Sequence, residues 1–457
     1  MDFLAANLPI FMILVFAVLL FTGYPVAMIL SGVGVAFAGF GFLLDVFPLV
    51  AFYNFPLRIY GTIANSLIFP AIPMLLFLGV SFEKSGVAEE MLLCLQVLLS
   101  RVPGRLAVAV IVLGILLGPL PGLVGASVAT LALLALPTML AQNYRVSLAA
   151  GAVAAGGTLG VIIPPSIMLV FLAFQLRIPI GHMFLGAVIP GLGLGMLYIV
   201  YYLVFCGLNP EVAPQATISA AQRPKNFFWY SLRALGLPAF LVGSVLVSII
   251  AGWATPSQSA AVGAAAGLAL MVLNRALSFR KMHEVIVTTT LMTSMVFFIV
   301  LAAGIFSYPF RYFGGDDIIA NALHGLGLGD WGVFLVILGI IFVLGFFIDW
   351  LEITVITLPI FLRVMETLDF DAHVGNPELV LLWMGMLIAL VLQTSFMTPP
   401  FGFALFFVKG SAPPGVELTD IYRGIVPIVA IQLLALALVL LLPGLAIWLP
   451  AKLLIGL

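Results

Sequence analysis

Two carboxylates stand out in this sequence because almost everything around them is apolar. Asp349 and Glu352 lie within LGFFIDWLEITVITLP, Leu344 to Pro359, three residues apart and so on one face of a helix. A charged carboxylate at the centre of a membrane costs about 2.5 to 3.5 kcal/mol on insertion scales, so the pair needs a proton, a bound cation or a wet cavity. The same spacing also writes a capping box, with Asp349 opening a half-helix and Glu352 reaching back to it. Ion or proton coupling and structural capping are both open on the residues alone.

The second signal is a pair of double prolines deep in apolar sequence, in VIIPPSIM (Val161 to Met168) and TSFMTPPFGF (Thr394 to Phe403). Proline removes a backbone donor and disfavours helical geometry in the residue before it, so a helix must break at each. The freed carbonyls and amides have to face protein or water, because lipid cannot satisfy them. Unwound carbonyls beside the hydroxyls of Thr158, Ser166, Thr394, Ser395 and Thr398 suit a small hard cation such as sodium. Singly, each hydroxyl reads as a bond back to its own or a neighbouring helix. Taken as a set at like places in both halves of the chain, they read as ion ligands.

Each break is preceded by a second irregular stretch. GPLPGLVGASVATLALLALP, Gly118 to Pro137, places prolines, glycines and Ser127 between apolar flanks each too short to span a membrane. It reads as a re-entrant hairpin whose half-helix N-termini present amides to an anion. The carboxylate stretch Leu344 to Pro359 is its counterpart in the second half.

These features sit in a chain whose solvent is lipid. Of 457 residues 64% are apolar and 8% charged, with a mean hydropathy of +1.29. Long apolar blocks rather than alternating strands predict an all-α polytopic membrane protein of about a dozen spans, some interrupted. The N-terminus carries Asp2 rather than a basic region and is expected to be retained as a first helix. Together these place the chain in an inner-type membrane, as a multi-pass protein.

Several function classes find no support. A net charge of −1 without a Lys/Arg run gives nothing for nucleic acid to bind. No Walker-type, HExxH or GxSxG pattern is present, so the chain is expected not to be an enzyme. His182, His283, His324 and His373 share no helical spacing that suits a metal, and Cys94 and Cys206 read as buried small side chains. Arg58, Lys84, Arg101, Arg145, Arg177 and Arg311 close apolar segments and read as interfacial snorkelling residues. The basic loop Asn274 to His283 is the best candidate for a cytoplasmic connection.

The chain divides at the polar, proline-containing stretch 207–227. The first half, 1–206, holds a hairpin at about 106–140 and a broken helix at about 147–177. The second half, 228–457, holds a hairpin at about 331–363 and a broken helix at about 379–409. Weak similarity between the halves is the trace of a transporter repeat. Pro25 precedes Gly32 by seven residues as Pro256 precedes Gly263, and Gly157-Thr158 precedes Pro164-Pro165 as Gln393-Thr394-Ser395 precedes Pro399-Pro400.

The strings AIPMLLFLGVSFEKSGVAEE (Ala71 to Glu90), AAGAVAAGGTLGVIIPPS (Ala149 to Ser166), GWATPSQSAAVG (Gly252 to Gly263), GFFIDWLEIT and QTSFMTPPFGFALFFVKG carry a family likeness. Over nearly its whole length the chain resembles the DctM-like large membrane subunit of the tripartite ATP-independent periplasmic (TRAP) transporters, within the wider ion transporter superfamily. The resemblance implies an elevator mechanism, with interleaved scaffold and transport domains built from inverted repeats. It implies sodium-gradient-driven symport of an organic acid, such as a C4-dicarboxylate. Sodium is the coupling ion and no cofactor is expected. The acid would be delivered by a DctP-like periplasmic binding protein and assisted by a DctQ-like four-helix membrane subunit.

Carried over position by position, Gly125, Ser127 and Thr130 match the first hairpin tip, and Gly157, Thr158, Pro164 and Pro165 the first break. Asp349 and Thr354 fall in the second hairpin, and Thr394, Ser395, Thr398, Pro399 and Pro400 in the second break. Sodium is expected near Ser127, Thr158, Thr394 and Ser395. Where the family has two serines before Val-Ala-Thr, this chain has Ala126-Ser127, so a side-chain ligand at 126 is lost. The competing readings are a stand-alone anion symporter or antiporter of the same superfamily and, from another class, a channel.

Overall fold

The computed structural model describes residues 4, 7–64, 66, 68–118, 124–214, 226–399 and 402–455. Among the described residues the regular structure is entirely helical, as expected of a polytopic membrane protein in which each segment must satisfy its own backbone. Among the described residues, eight helices are long and apolar enough to cross a membrane, Val26–Leu43, Val124–Ala141, Ile180–Leu208, Phe227–Ile250, Pro256–Leu273, Phe279–Tyr312, Pro377–Ser395 and Leu418–Leu441. A ninth span is available if Ala71–Lys84 and Val87–Leu98 are taken together, bent by 62°. The bend falls at Gly86, whose φ of +76° a residue with a Cβ rarely adopts. Five shorter apolar helices add to these, among them Arg105–Leu117, Val146–Leu159 and Gly329–Leu344.

Burial sorts the helices into two populations. Every side chain from Ser147 to Leu159 is buried, and so is nearly all of Val380–Ser395. A helix apolar on all sides belongs inside protein. By contrast, Phe21, Leu43, Phe240, Trp253 and Phe279 on other segments are each more than 70% exposed, a surface that water would not tolerate and lipid does. The two central helices are the ones that end at the double prolines.

Val146–Leu159 and Ile167–Gln175 are separated by seven positions, 160 to 166, and Val380–Ser395 and Phe403–Ser411 by seven, 396 to 402, of which 400 and 401 lie outside the described residues. Both second segments are nine residues long. Buried on every side, the ends at Leu159 and Ser395 face protein, which is what unwound backbone requires at membrane depth.

Glycine sets how closely the first broken helix is gripped. Gly114 and Gly118 on Arg105–Leu117 and its C-terminal edge lie against Gly156 and Gly160. A Cβ built on Gly160 would stand 1.9 Å from the Gly118 Cα, and one on Gly114 would stand 2.2 Å from the Gly156 oxygen. Two small-xxx-small rows thus bring backbones into contact, where dispersion rather than side-chain interlocking holds helices together. On the other side of the same helix, a Cβ on Gly424 would lie 2.0 Å from the Ser147 carbonyl oxygen.

The helices flanking the first hairpin tip are Arg105–Leu117 and Val124–Ala141, with residues 119–123 of the tip outside the described residues. The second hairpin region is Gly329–Leu344, a turn, Trp350–Ile356 and, after Thr357, Leu358–Met365. Of the stretch between the halves, Pro210–Val212 forms a short 3-10 turn whose Val212 carbonyl accepts from the Arg145 amide at 2.9 Å.

Candidate functional site

The two breaks meet. Gln393 Nε2 donates to the Thr158 carbonyl at 3.4 Å, and the Thr158 hydroxyl reaches Met397 Sδ at 3.3 Å, across more than 230 residues of sequence. Both hairpins touch this junction. A Cβ on Gly157 would lie 2.7 Å from the Val128 Cα of the first hairpin, and one on Gly125 would lie 2.5 Å from the Phe407 ring beyond the second break. Gly345, at the turn of the second hairpin, leaves room for Ser395, whose Oγ would be 2.0 Å from an added Cβ. Sequence-remote glycines and hydroxyls at 125, 157, 158, 345 and 395 therefore surround one buried region.

Six of the candidate hydroxyls donate locally. Thr158 Oγ1 donates to Ala154 O at 2.9 Å, Thr394 to Leu390 O at 2.8 Å, Ser395 to Leu392 O at 2.7 Å and Thr398 to Thr394 O at 2.8 Å. Ser166 donates to the Val161 carbonyl inside the first break, and Thr354 to Trp350 O at 2.7 Å. A hydroxyl that donates still carries oxygen lone pairs, so these bonds fix the oxygens in place without removing their capacity to accept or to ligate. Pro164 and Pro165 lie in the first break, joined by a cis peptide, and Pro399 in the second. Pro400 lies outside the described residues.

Gln393 was not a candidate on sequence, and the structure makes it one. Its side chain is fully buried and, among the described residues, its Oε1 has no hydrogen-bond partner. A buried orphan acceptor costs about 1 to 3 kcal/mol. The sequence shows it only as a member of the Gln393-Thr394-Ser395 repeat match, because its importance depends on the first break lying opposite.

Asp349 and Glu352 form the capping box. Glu352 Oε2 accepts the Asp349 amide at 2.7 Å, and Asp349 Oδ1 accepts the Trp350 amide at 2.8 Å, opening Trp350–Ile356. The structure thus realises the capping arrangement of the pair. Trp350, fully buried, stacks edge-on with Phe171 at 5.9 Å and ties the hairpin to the segment after the first break.

Ser127 and Thr130 line a small cavity of about 30 Å³ together with Glu83, Gly118 and Gly156, enough for about one water-sized occupant. Glu83 pairs with Lys84 at 3.8 Å. Nothing in the sequence marks it, since it closes the ordinary apolar helix Ala71–Lys84.

A much larger cavity, about 390 Å³, is lined by three arginines: Arg58, Arg177 and Arg311. Taken singly, each of the three closes an apolar segment and suits a membrane interface. They come from three separate segments, near Asn54–Ile59, just after Ile167–Gln175 and at the end of Phe279–Tyr312, so nothing in the linear order brings them together. Arg58 lies over the Tyr308 ring at 4.4 Å. Arg311 donates to Pro359 O at 3.0 Å and pairs with Asp316 at 3.3 Å; Asp316, buried, also pairs with Arg363 at 3.5 Å. Among the described residues neither Arg58 nor Arg177 is in an ion pair, so the cavity carries an excess of positive charge. Gln175, on the same wall, donates at 3.4 Å to the Thr354 and Val355 carbonyls of the second hairpin.

Buried helices that end in opposed breaks, among helices long and apolar enough to cross a membrane, fit a multi-pass membrane protein. The family model described as "Tripartite ATP-independent periplasmic transporter, DctM component" matches residues 13–445. The chain belongs to that family, the large permeases of the TRAP transporters, and is a secondary transporter rather than an enzyme.

Among its relatives, the C4-dicarboxylate TRAP transporter large permease protein DctM of Pseudomonas aeruginosa is 28% identical, over 83% of this chain and 85% of that one. The 2,3-diketo-L-gulonate TRAP transporter large permease protein of Escherichia coli is 26% identical, over 95% and 99%. The ectoine TRAP transporter large permease protein of Halomonas elongata is 26% identical, over 68% and 70%. These relatives are named for three different substrates. Permeases of this family work with a periplasmic binding protein and a small membrane subunit.

Proposed function

We propose that this chain is the membrane-embedded subunit that moves an organic acid inward, driven by a sodium gradient, after a DctP-like periplasmic binding protein delivers the acid. A DctQ-like four-helix subunit completes the complex. The observation that carries the reading is the cavity with Arg58, Arg177 and Arg311. Two of these guanidiniums have no carboxylate partner among the described residues, and the cavity's walls come from the segment beyond the first break and from the second hairpin. A carboxylate is the natural counter-ion for such a fork of donors.

Sodium fits the adjacent junction by chemistry. Hydroxyl oxygens at 158, 394 and 395, unwound carbonyls and the orphan Gln393 Oε1 are hard oxygen donors without net charge. Their pairing at two breaks of equal length supports two related sites in inverted halves, with boundaries at about 1–206 and 228–457 and the stretch 207–227 between them. An elevator motion has support in the contrast between the wholly buried broken helices and the outer helices with exposed apolar faces. The first would travel as a body and the second would stay with the lipid.

The test is acid uptake by the reconstituted complex with Arg58→Gln and Arg177→Gln, singly and together. The double variant is expected to lower uptake at least tenfold while inserting normally. Undiminished uptake would remove the cavity from the transport path.

A further inference from the structure

Arg58 needs a fixed point outside its own helix. That helix, Asn54–Ile59, has no buried residue, and Asn54 and Arg58 are both exposed. The two stand four positions apart and so share one face of it. Both reach the same side chain on another element. Arg58 lies over the Tyr308 ring, 4.4 Å from its centroid, and Asn54 Nδ2 donates to the Tyr308 hydroxyl at 2.8 Å.

Tyr308 is firmly seated. It is 6% exposed on Phe279–Tyr312, and its ring meets Phe55 at 5.3 Å and Phe47 at 5.8 Å, both edge-on. Phe47 is itself fully buried, and with Ala38 and Ala51 it forms a small apolar cluster around Tyr308, apart from the main core. The same long helix lines the large cavity with Val300, Ala303, Gly304, Ser307 and Arg311. It therefore supplies Arg311 to the cavity directly and Tyr308 as the support of Arg58.

A ring holds an arginine differently from a carboxylate. Its π face attracts the cation without cancelling the charge, and a guanidinium with five N–H donors keeps some of them for an acid. Arg311 shows the other arrangement, since Asp316 pairs with it at 3.3 Å and compensates its charge.

We propose that Tyr308 is a positioning residue for the transported acid. Its ring holds Arg58 at the cavity with the charge intact, and Asn54 ties the ring hydroxyl to the same short helix. The proposal rests on the reading that this cavity takes the acid.

Equilibrium binding of radiolabelled succinate, phenylacetate and gluconate to the reconstituted complex in lipid nanodiscs tests it, beside the thermal midpoint of each variant. Tyr308→Leu is expected to raise the dissociation constant of each acid that binds by about threefold or more. Tyr308→Phe keeps the ring and should stay within about twofold of the unsubstituted complex. Asn54→Ala removes the same hydrogen bond from the exposed side and should match it. In an Arg58→Gln background, Tyr308→Leu should weaken binding no further. Should Tyr308→Leu fail to insert, fluorinated phenylalanines at position 308 keep the ring's shape while drawing electron density from its face. Affinity should then fall stepwise with the number of fluorines, at a constant thermal midpoint.

Affinity that ignores Tyr308→Leu, or is flat across the fluorine series, overturns the positioning role. So does an equal loss from Tyr308→Leu with and without Arg58, which marks packing alone. In each of these cases a loss of binding in Arg58→Gln would leave the acid reading in place. Binding indifferent to Arg58→Gln, or binding of none of the three acids, would instead sink the reading of the cavity, and the proposal with it.

Discussion

At the scale of single residues, the structure separates groups that hold the fold from groups with capacity to spare. Asp349 and Glu352 are the sharpest ionisable signal in the sequence, and both are engaged in capping one short helix. Asparagine caps a helix nearly as well as aspartate, whereas alanine costs about 1 kcal/mol. Asp349→Asn should therefore keep the thermal midpoint of the purified protein and its sodium dependence of uptake, and Asp349→Ala should lower the midpoint. Loss of sodium dependence in the asparagine variant would show that the charge itself couples ions. The hydroxyls behave differently. Removing Thr394 and Ser395 together, as alanines, deletes two fixed oxygens but only intrahelical donations. Uptake in that variant should need a higher sodium concentration, with membrane insertion unchanged; an unaltered sodium dependence would take the site away from the second break. These side chains were visible in the sequence because proline marks them. Arg58, Arg177, Arg311 and Gln393 were not, since each is ordinary among its own neighbours and becomes distinctive only when another segment arrives opposite.

Among elements, two contacts decide how the parts are held. The first is the glycine seam between Gly114/Gly118 and Gly156/Gly160, where no Cβ fits. Gly160→Ala should force the helices apart and destabilise by about 1 to 3 kcal/mol or more, the cost of overpacking a tight contact. Gly193→Ala is the control, for nothing lies within 4 Å of the added methyl; by helix propensity it should be neutral or stabilise by up to about 1 kcal/mol. Thermal unfolding of the two variants in the same detergent reads the difference directly. The second contact is Asp316, which ties the end of Phe279–Tyr312 to Leu358–Met365 through Arg311 and Arg363. Burial raises its carboxyl above the ordinary 3.8, with Arg311 and Arg363 pulling the other way and Asp317 adding to the rise. The folded protein therefore holds this proton to a higher pH than the unfolded chain. The group's contribution to stability is greatest below pH 3.8 and is lost as pH rises through the raised value. Relative to Asp316→Asn, the unsubstituted protein should gain in thermal midpoint as pH falls toward 4. A midpoint difference that is flat with pH would contradict the assignment.

For the whole molecule, the sequence was informative wherever covalent chemistry or composition dictates structure. Apolar content specified helices in lipid, and Pro164-Pro165 and Pro399-Pro400 marked where two of them had to stop. Central Leu148, Leu387 and their neighbours are no more apolar than lipid-facing Phe240 or Leu43, so the sequence could not say which helices are buried. Packing in the assembled bundle decides that, and with it which arginines share a cavity. The central claim is that a cationic cavity beside two opposed breaks serves sodium-driven acid uptake in a three-part complex. Uptake of radiolabelled phenylacetate, succinate and gluconate into proteoliposomes, with and without an inward sodium gradient, tests it most directly. Saturable, sodium-dependent uptake of at least one acid is expected only when the chain, the small membrane subunit and the periplasmic binding protein are all present. Full-rate uptake by the chain alone, or an unsaturable conductance indifferent to sodium, would contradict it.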